Sequence, residues 1–290
     1  MCYINIAVAT VERAKDSPLN IELGEMVRSR DAPTSKEQSR LQRRNCPFSK
    51  RVTVSRLKAM PPAVENRLLA ALPRQDRERL LAHSEKVELK FAEVLGEPQH
   101  RIRHVLFPTG GFISLVTHLD KAATLEVGLI GDEGMLGTSL LLGVNVSPQR
   151  AIVQGSGSAW RIMAAPFCRE LERSPPLRRE LNRYLYVVTS QVARTAVCTH
   201  FHLVEARLAR WLLMTCDRAH SDRFHITQEF MSFMLGVRRE GVTTAAGVLR
   251  RRNLISYSRG EITILDRSGL QAAACSCYAA ARKTYTSIMG

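Results

Sequence analysis

Apolar positions fall into three regimes along the chain. Residues 66–72 and 76–83 read as two short apolar helices, the first closed by Pro73. Between residues 87 and 163 the pattern changes to short apolar runs at 87–94, 102–107, 112–119, 124–130, 151–154 and 158–163. Gly110-Gly111, Gly131, Gly134, Gly143 and Pro148 punctuate them, and Gly155-Ser156-Gly157 reads as a hairpin turn. Short strands at such spacing predict a β-barrel or sandwich-like domain rather than a parallel α/β sheet. Pro175-Pro176 then opens a long helix over about 177–202. Its positions Leu181, Leu185, Val188, Val192, Thr195, Thr199 and His202 step alternately by four and three, a heptad-like seam suited to packing one helix along another. A second copy of the chain is the favoured partner for that seam, and the chain's own core is the other.

The third regime is the most informative. Thr227 can cap a helix running to Leu235, with Phe230, Met231, Met234 and Leu235 on one side. Gly236 accepts the backbone angles of a tight interhelical corner. A second helix follows, with Val242, Ala245, Ala246 and Leu249 as its buried stripe. Its other face carries Arg238, Arg239, Glu240, Thr243, Thr244 and Gly247 and ends in Arg250-Arg251-Arg252. Residues 254–258 and 261–265 read as two strands joined by Arg259-Gly260, a hairpin. Helix, glycine turn, helix and hairpin make a winged helix-turn-helix.

Charge sharpens that reading. The chain of 290 residues has 42 Lys+Arg against 27 Asp+Glu, and residues 201–290 alone carry 13 basic and 7 acidic side chains. A basic terminal domain suits a polyanionic partner. An α-helix fits the DNA major groove, where Arg239 can bind guanine O6 and N7 and Glu240 can accept from a cytosine amine. Thr243 and Thr244 complete the candidate base-reading set. Arg238, Arg250, Arg251, Arg252 and Arg259 are candidate phosphate contacts, which position a protein without reading sequence.

Residues 1–59 differ from the rest. The stretch 28–58 has 10 basic and 2 acidic residues and little periodicity, a composition that favours disorder. It reads as a phosphate-touching arm, as a tail without a role, or as an over-extended reading frame with the native start at Met60. With 45% hydrophobic residues the chain can bury real cores, and no apolar run reaches membrane-spanning length. No secretory pattern opens it, and seven scattered cysteines fit reduced thiols, so the expectation is a cytoplasmic protein with no membrane partner.

The strings LVEARLARWLL at 203–213, FMLGVRREGVT at 233–243 and RNLISYSRG at 252–260 resemble the Crp/Fnr superfamily of bacterial transcription regulators. GDEGMLG at 131–137, with Arg150, falls where that family has its cyclic-nucleotide-binding-like β-roll. The likeness covers roughly residues 64–278. It implies an α+β fold: an N-terminal antiparallel β-roll (jelly-roll) sensor domain, a long dimerisation helix and a C-terminal winged helix-turn-helix. The corresponding divisions are 1–59, 60–170, 171–202, 203–270 and a C-terminal tail at 271–290. It further implies a homodimer on a pseudo-palindromic operator in double-stranded DNA, with RNA polymerase as a partner. Arg239, Glu240 and Thr244 match the family's base-reading positions, although Thr244 stands where an arginine is common.

The sensor end departs from the family pattern. No glutamate follows Gly134 or Gly137 to hold a ribose hydroxyl, so cyclic AMP is not the expected effector, and Arg150 is the one weak candidate for an effector phosphate. Only Cys2 and Cys46 precede residue 168, too few thiolates for an N-terminal iron–sulfur cluster. No cofactor or metal is therefore expected. Cys275-Ser276-Cys277 lacks a second ligand pair, and His200, His202, His100 and His104 read as satisfied or solvated. The His83-Ser84-Glu85 string lacks its zinc-deaminase companion, and no nucleophile elbow or phosphate loop appears. A regulator rather than an enzyme is expected. The competing reading is a small-molecule-sensing module whose basic C-terminal domain docks a protein.

Overall fold

The computed structural model describes residues 66–118 and 124–290; the basic extension at 1–59, with Met60, Cys2 and Cys46, lies outside them. In chain order the elements are α1 (Arg67–Ala70), α2 (Arg74–Leu81), β1 (Ser84–Leu89), β2 (Val94–Gly96), β3 (His104–His118), β4 (Thr124–Ile130) and β5 (Arg150–Met163). They continue as α3 (Ala164–Arg173), α4 (Pro175–Phe201), α5 (Val204–Ala219), β6 (Arg223–His225), α6 (Gln228–Leu235) and α7 (Arg239–Arg251). The wing strands β7 (Ile255–Ser258) and β8 (Glu261–Ile264), then α8 (Arg267–Ala273) and α9 (Cys277–Met289), complete the chain. The fold is α+β. No helix among the described residues is long and apolar enough to cross a membrane.

The first sheet is antiparallel, ordered β1-β5-β3-β4 with β2 also on β5. Four expectations are corrected here. One 15-residue strand, His104–His118, joins the expected runs 102–107 and 112–119 as far as residue 118, and one 14-residue strand, Arg150–Met163, joins 151–154 and 158–163; the two pair from His104↔Met163 to Val116↔Arg150. Gly155-Ser156-Gly157 is therefore no hairpin turn. The glycines lie where the two paired backbones come close: a Cβ on Gly157 would stand 2.1 Å from the Gly110 carbonyl oxygen, and one on Gly111 (φ +72°) 2.3 Å from that of Gly155. Glycine lets the backbones approach and the strands bend through bulges between Pro108 and Ile113. The expected run 87–94 is divided in the opposite sense, by a turn with Ala92 at φ +64° between β1 and β2.

Buried Asn66 ties the start of the described chain to this sheet. Its Oδ1 accepts from the Leu68 and Leu69 amides, capping α1, while its Nδ2 donates to the Pro108 and Gly134 carbonyls at 3.0 and 2.8 Å. Leu68, Leu80, Phe107, Phe167, Leu177 and Leu181 form a core between the helices and one face of the roll. Leu89, Ile113, Ile130 and Val153 fill its interior.

Ser174 caps α4, accepting from the Leu177 amide at 3.2 Å, and Pro175 and Pro176 occupy the first turn, where no amide is needed. At 27 residues α4 is about 40 Å long. The heptad-like seam does not lie on one exposed face. Leu181 and Thr195 are buried within the chain, Leu185, Val188, Thr199 and His202 are half-buried, and Val192 is exposed. Residues 271–290, expected as a tail, contain α9, which packs along α4. The run Tyr278-Ala279-Ala280-Ala281 is strongly helix-forming and carried that signal in the sequence.

Candidate nucleic-acid interface

The C-terminal region is organised on α5, whose Leu208, Leu212 and Leu213 are wholly buried against Met231, Val242, Leu249, Ile262 and Leu270. Thr227 caps α6 by accepting from the Phe230 amide at 3.1 Å. Gly236, at φ +60°, turns the chain, and its amide and that of Val237 close on the Phe233 and Ser232 carbonyls. Buried Arg207 of α5 donates to the Leu235 carbonyl, fixing the corner from below. Sequence reasoning missed that contact, because an arginine 28 residues upstream gives no local sign of it.

Helix α7 then buries Val242, Ala245, Ala246 and Leu249, as its spacing predicts. The opposite face presents Arg238, Arg239, Glu240, Thr243, Thr244, Arg250, Arg251 and Arg252 to solvent. Two of these are engaged within the chain. The Thr243 hydroxyl lies 2.8 Å from Gln228 Oε1 and 3.0 Å from the Arg239 carbonyl, and Arg252 pairs with Glu205 at 3.1 Å. Among the described residues Arg238, Arg239, Arg250, Arg251 and Arg259 have no ion-pair partner. Positive charge held without local neutralisation is available to an external polyanion.

The wing forms as expected and gains a third strand, in the order β6-β8-β7. Ser258 pairs with Glu261, leaving Arg259 (φ +50°) and Gly260 (φ +83°) as a two-residue loop with both φ positive, the type I′ geometry. Exposed Arg259 therefore stands at the wing tip.

A cavity of about 410 Å³ lies in the roll, lined by apolar Leu89, Leu106 and Leu136, by Arg103 and Arg161, and by Val188 of α4. Arg150 is not in its lining; it begins β5 and pairs with Glu97 at 3.3 Å. Where β4 meets α5, fully buried Glu126 accepts from Ser114 Oγ at 2.7 Å and from Trp211 Nε1 at 2.9 Å. Burial pushes its carboxyl up to about 7 against those hydrogen bonds. Close by, Glu133 and Arg218 form a 2.6 Å ion pair with both side chains largely buried.

Cys275 and Cys277, dismissed for want of a second pair, have one in space: Cys198 and His202 at the end of α4 face them. The i, i+4 spacing of Cys198 and His202, set beside the Cys-x-Cys string, was the signal available in the sequence.

Residues 206–273 match the family model of the Crp-like helix-turn-helix domain. No curated protein matches the chain. Among solved structures, a transcriptional regulator of the Crp/Fnr family from Eubacterium rectale is similar over 72% of this chain and 98% of its own, at 19% identity and a TM-score of 0.58. FixK2 from Bradyrhizobium japonicum is similar over 67% and 98%, at 13% identity and a TM-score of 0.58. The c-di-GMP-responsive global regulator CLP of Xanthomonas campestris is similar over 67% and 100%, at 15% identity and a TM-score of 0.57.

Proposed function

We propose that this chain, which carries a Crp-like helix-turn-helix domain on a Crp/Fnr-type fold, is a sequence-specific DNA-binding transcription regulator acting as a homodimer. The observation that supports it most is the outer face of α7, where Arg238, Arg239, Arg250 and Arg251 lack partners among the described residues. Arg239, Glu240 and Thr244 read bases at the helix N-terminus, as side chains do when a helix enters the major groove. Thr243, already bonded to Gln228, positions the helix start and contributes less to readout. Arg238, Arg250, Arg251 and Arg259 grip phosphates, and Arg252 does so at the expense of its pair with Glu205.

Dimerisation through α4 rests on its exposed apolar positions Tyr186, Val192, Val197 and Phe201, which a second copy would cover. RNA polymerase is the further partner that the family resemblance implies for a regulator bound at a promoter. The cavity in the roll favours a small effector, and the absence of a glutamate after Gly134 or Gly137 to hold a ribose hydroxyl argues against cyclic AMP.

The test is enrichment of the full chain against a randomised duplex pool at near-physiological salt. A pseudo-palindrome with half-site centres about 10 base pairs apart is expected. Arg239→Ala should relax preference at one base pair by about 1–3 kcal/mol, while Arg251→Ala should weaken all sequences alike and flatten the salt dependence. An unenriched pool, with and without cell extract as an effector source, would overturn the regulator and leave a sensing module that docks a protein.

A further inference from the structure

Four potential ligands converge where the long helix ends. Cys198 and His202 lie one turn apart at the C-terminus of α4, and Cys275 and Cys277 flank the junction between α8 and α9. Their ligand atoms all lie within 4.8 Å of one another. Cys198 Sγ is 3.5 Å from Cys275 Sγ, and Cys277 Sγ is 3.6 Å from His202 Nδ1. The three cysteines are buried and His202 is half-buried. Ser276, between the two C-terminal cysteines, is exposed, while both neighbouring cysteines are buried. The Cys275 amide donates to the Ala206 carbonyl at 3.3 Å, holding the junction against the start of α5.

We propose that Cys198, His202, Cys275 and Cys277 bind one zinc ion as a Cys3His site, independently of the DNA-binding reading. Three thiolates and one imidazole are an established tetrahedral zinc set, and Zn–S bonds of about 2.3 Å place sulfurs roughly 3.8 Å apart at the corners of a tetrahedron. The Cys198–Cys275 and Cys277–His202 separations, 3.5 and 3.6 Å, are already near that edge length, and every other pair lies within 4.8 Å. A multi-iron cluster, which inserts several irons and sulfides between its thiolates, needs a wider ring of ligands. A disulfide between Cys198 and Cys275 would leave the approach of Cys277 and His202 unexplained.

Charge supports a bound ion. Zn²⁺ with three thiolates and a neutral imidazole carries a net single negative charge. The buried guanidiniums of Arg207 and Arg210 stand close enough to Cys198 to interact with it electrostatically, and Arg210 Nε has no hydrogen-bond partner. The ion joins the last turn of α4 to the segment that follows the helix-turn-helix, so it braces that domain at both of its sequence ends. Binding this ion excludes thiol protons, so affinity falls in acid.

The full chain, purified with reductant and stripped by chelator, is titrated with Zn²⁺ against a chromophoric competitor and with Co²⁺ by absorption. One equivalent of either ion per chain is expected, with thiolate-to-cobalt charge transfer and the strong visible bands of a tetrahedral site. Cys277→Ser should lower affinity by on the order of 100-fold. His202→Cys should keep binding and shift the cobalt spectrum to that of four thiolates, a change no packing role produces. Cys168→Ser, in a separate core, should leave both readouts unchanged. Absence of an equivalent of tight binding, retention of that binding in Cys277→Ser, or a Cys198–Cys275 disulfide in reduced-buffer preparations would overturn the site.

Discussion

Glycine does opposite work in the roll and in the winged region. Gly236 and Gly260 reverse the chain, each at positive φ and each between short elements adjacent in sequence. Gly111 and Gly157 keep the chain going: they let β3 and β5 touch backbone to backbone while both strands continue past the contact. A local reading assigns every one of these glycines to a turn. What separates the two uses is the partner strand about 45 residues away, and only the folded register reveals it. A turn glycine answers to its own backbone angles, and a close-approach glycine answers to another strand as well.

The contrast is broken or upheld most forcefully at Gly157. A methyl there would fall 2.1 Å from the Gly110 carbonyl oxygen and 2.5 Å from the Gly111 amide nitrogen, both backbone atoms with no rotamer to change. Gly157→Ala should cost more than about 4 kcal/mol, or abolish cooperative folding altogether. Urea unfolding followed by circular dichroism measures it. A loss below about 1 kcal/mol would mean that the strands do not approach so closely and that the glycine is a turn after all.

The next effect sits where the two regions meet. Glu126 belongs to β4 of the roll, and its partner Trp211 belongs to α5. Its carboxyl titrates near 4.5 when unfolded and near 7 when folded. The folded chain therefore holds the extra proton between those values, so stability falls as pH rises from about 4.5 to about 7. The full loss is about 3 kcal/mol and persists at higher pH. Glu126→Gln should remove this dependence and be the more stable protein at pH 8, since Ser114 can accept from the new amide and donate to Gln154. Parallel stability curves for the two proteins between pH 5 and 8 would show that Glu126 does not carry the proton.

Legibility in the sequence follows the same division. The Thr227 cap, the Gly236 corner, the stripe Val242-Ala245-Ala246-Leu249 and the Arg259-Gly260 loop were readable because each is settled within a dozen residues. The candidate base-reading residues were legible for the same reason, as the outward complement of that stripe. Strand β6 was not, since three residues with half-exposed Phe224 give no alternation to read. Neither was the engagement of Arg207, Glu126 or the Cys198–His202–Cys275–Cys277 cluster. Their partners lie 28 to 85 residues apart, and an isolated Cys-x-Cys looks alike with or without a distant pair.

The smallest effect tests the comparison from its other side. Gly247 lies in the middle of α7, where glycine costs a helix about 0.5–1 kcal/mol relative to alanine. A Cβ there meets only Arg251 Nη1, at 3.5 Å, an ordinary contact with the end of a flexible side chain. Nothing in the fold requires this glycine, so Gly247→Ala should raise stability by that amount, read as a higher urea midpoint at unchanged slope. Unlike Gly157, it answers to no other strand of its own chain. If the variant is more stable and binds operator DNA less tightly, the missing side chain leaves room for the nucleic acid. The rule of close approach then extends to a backbone outside the protein. If stability falls instead, α7 has a neighbour within the chain that its open outer face does not reveal, and the distinction between the two regions fails at that helix.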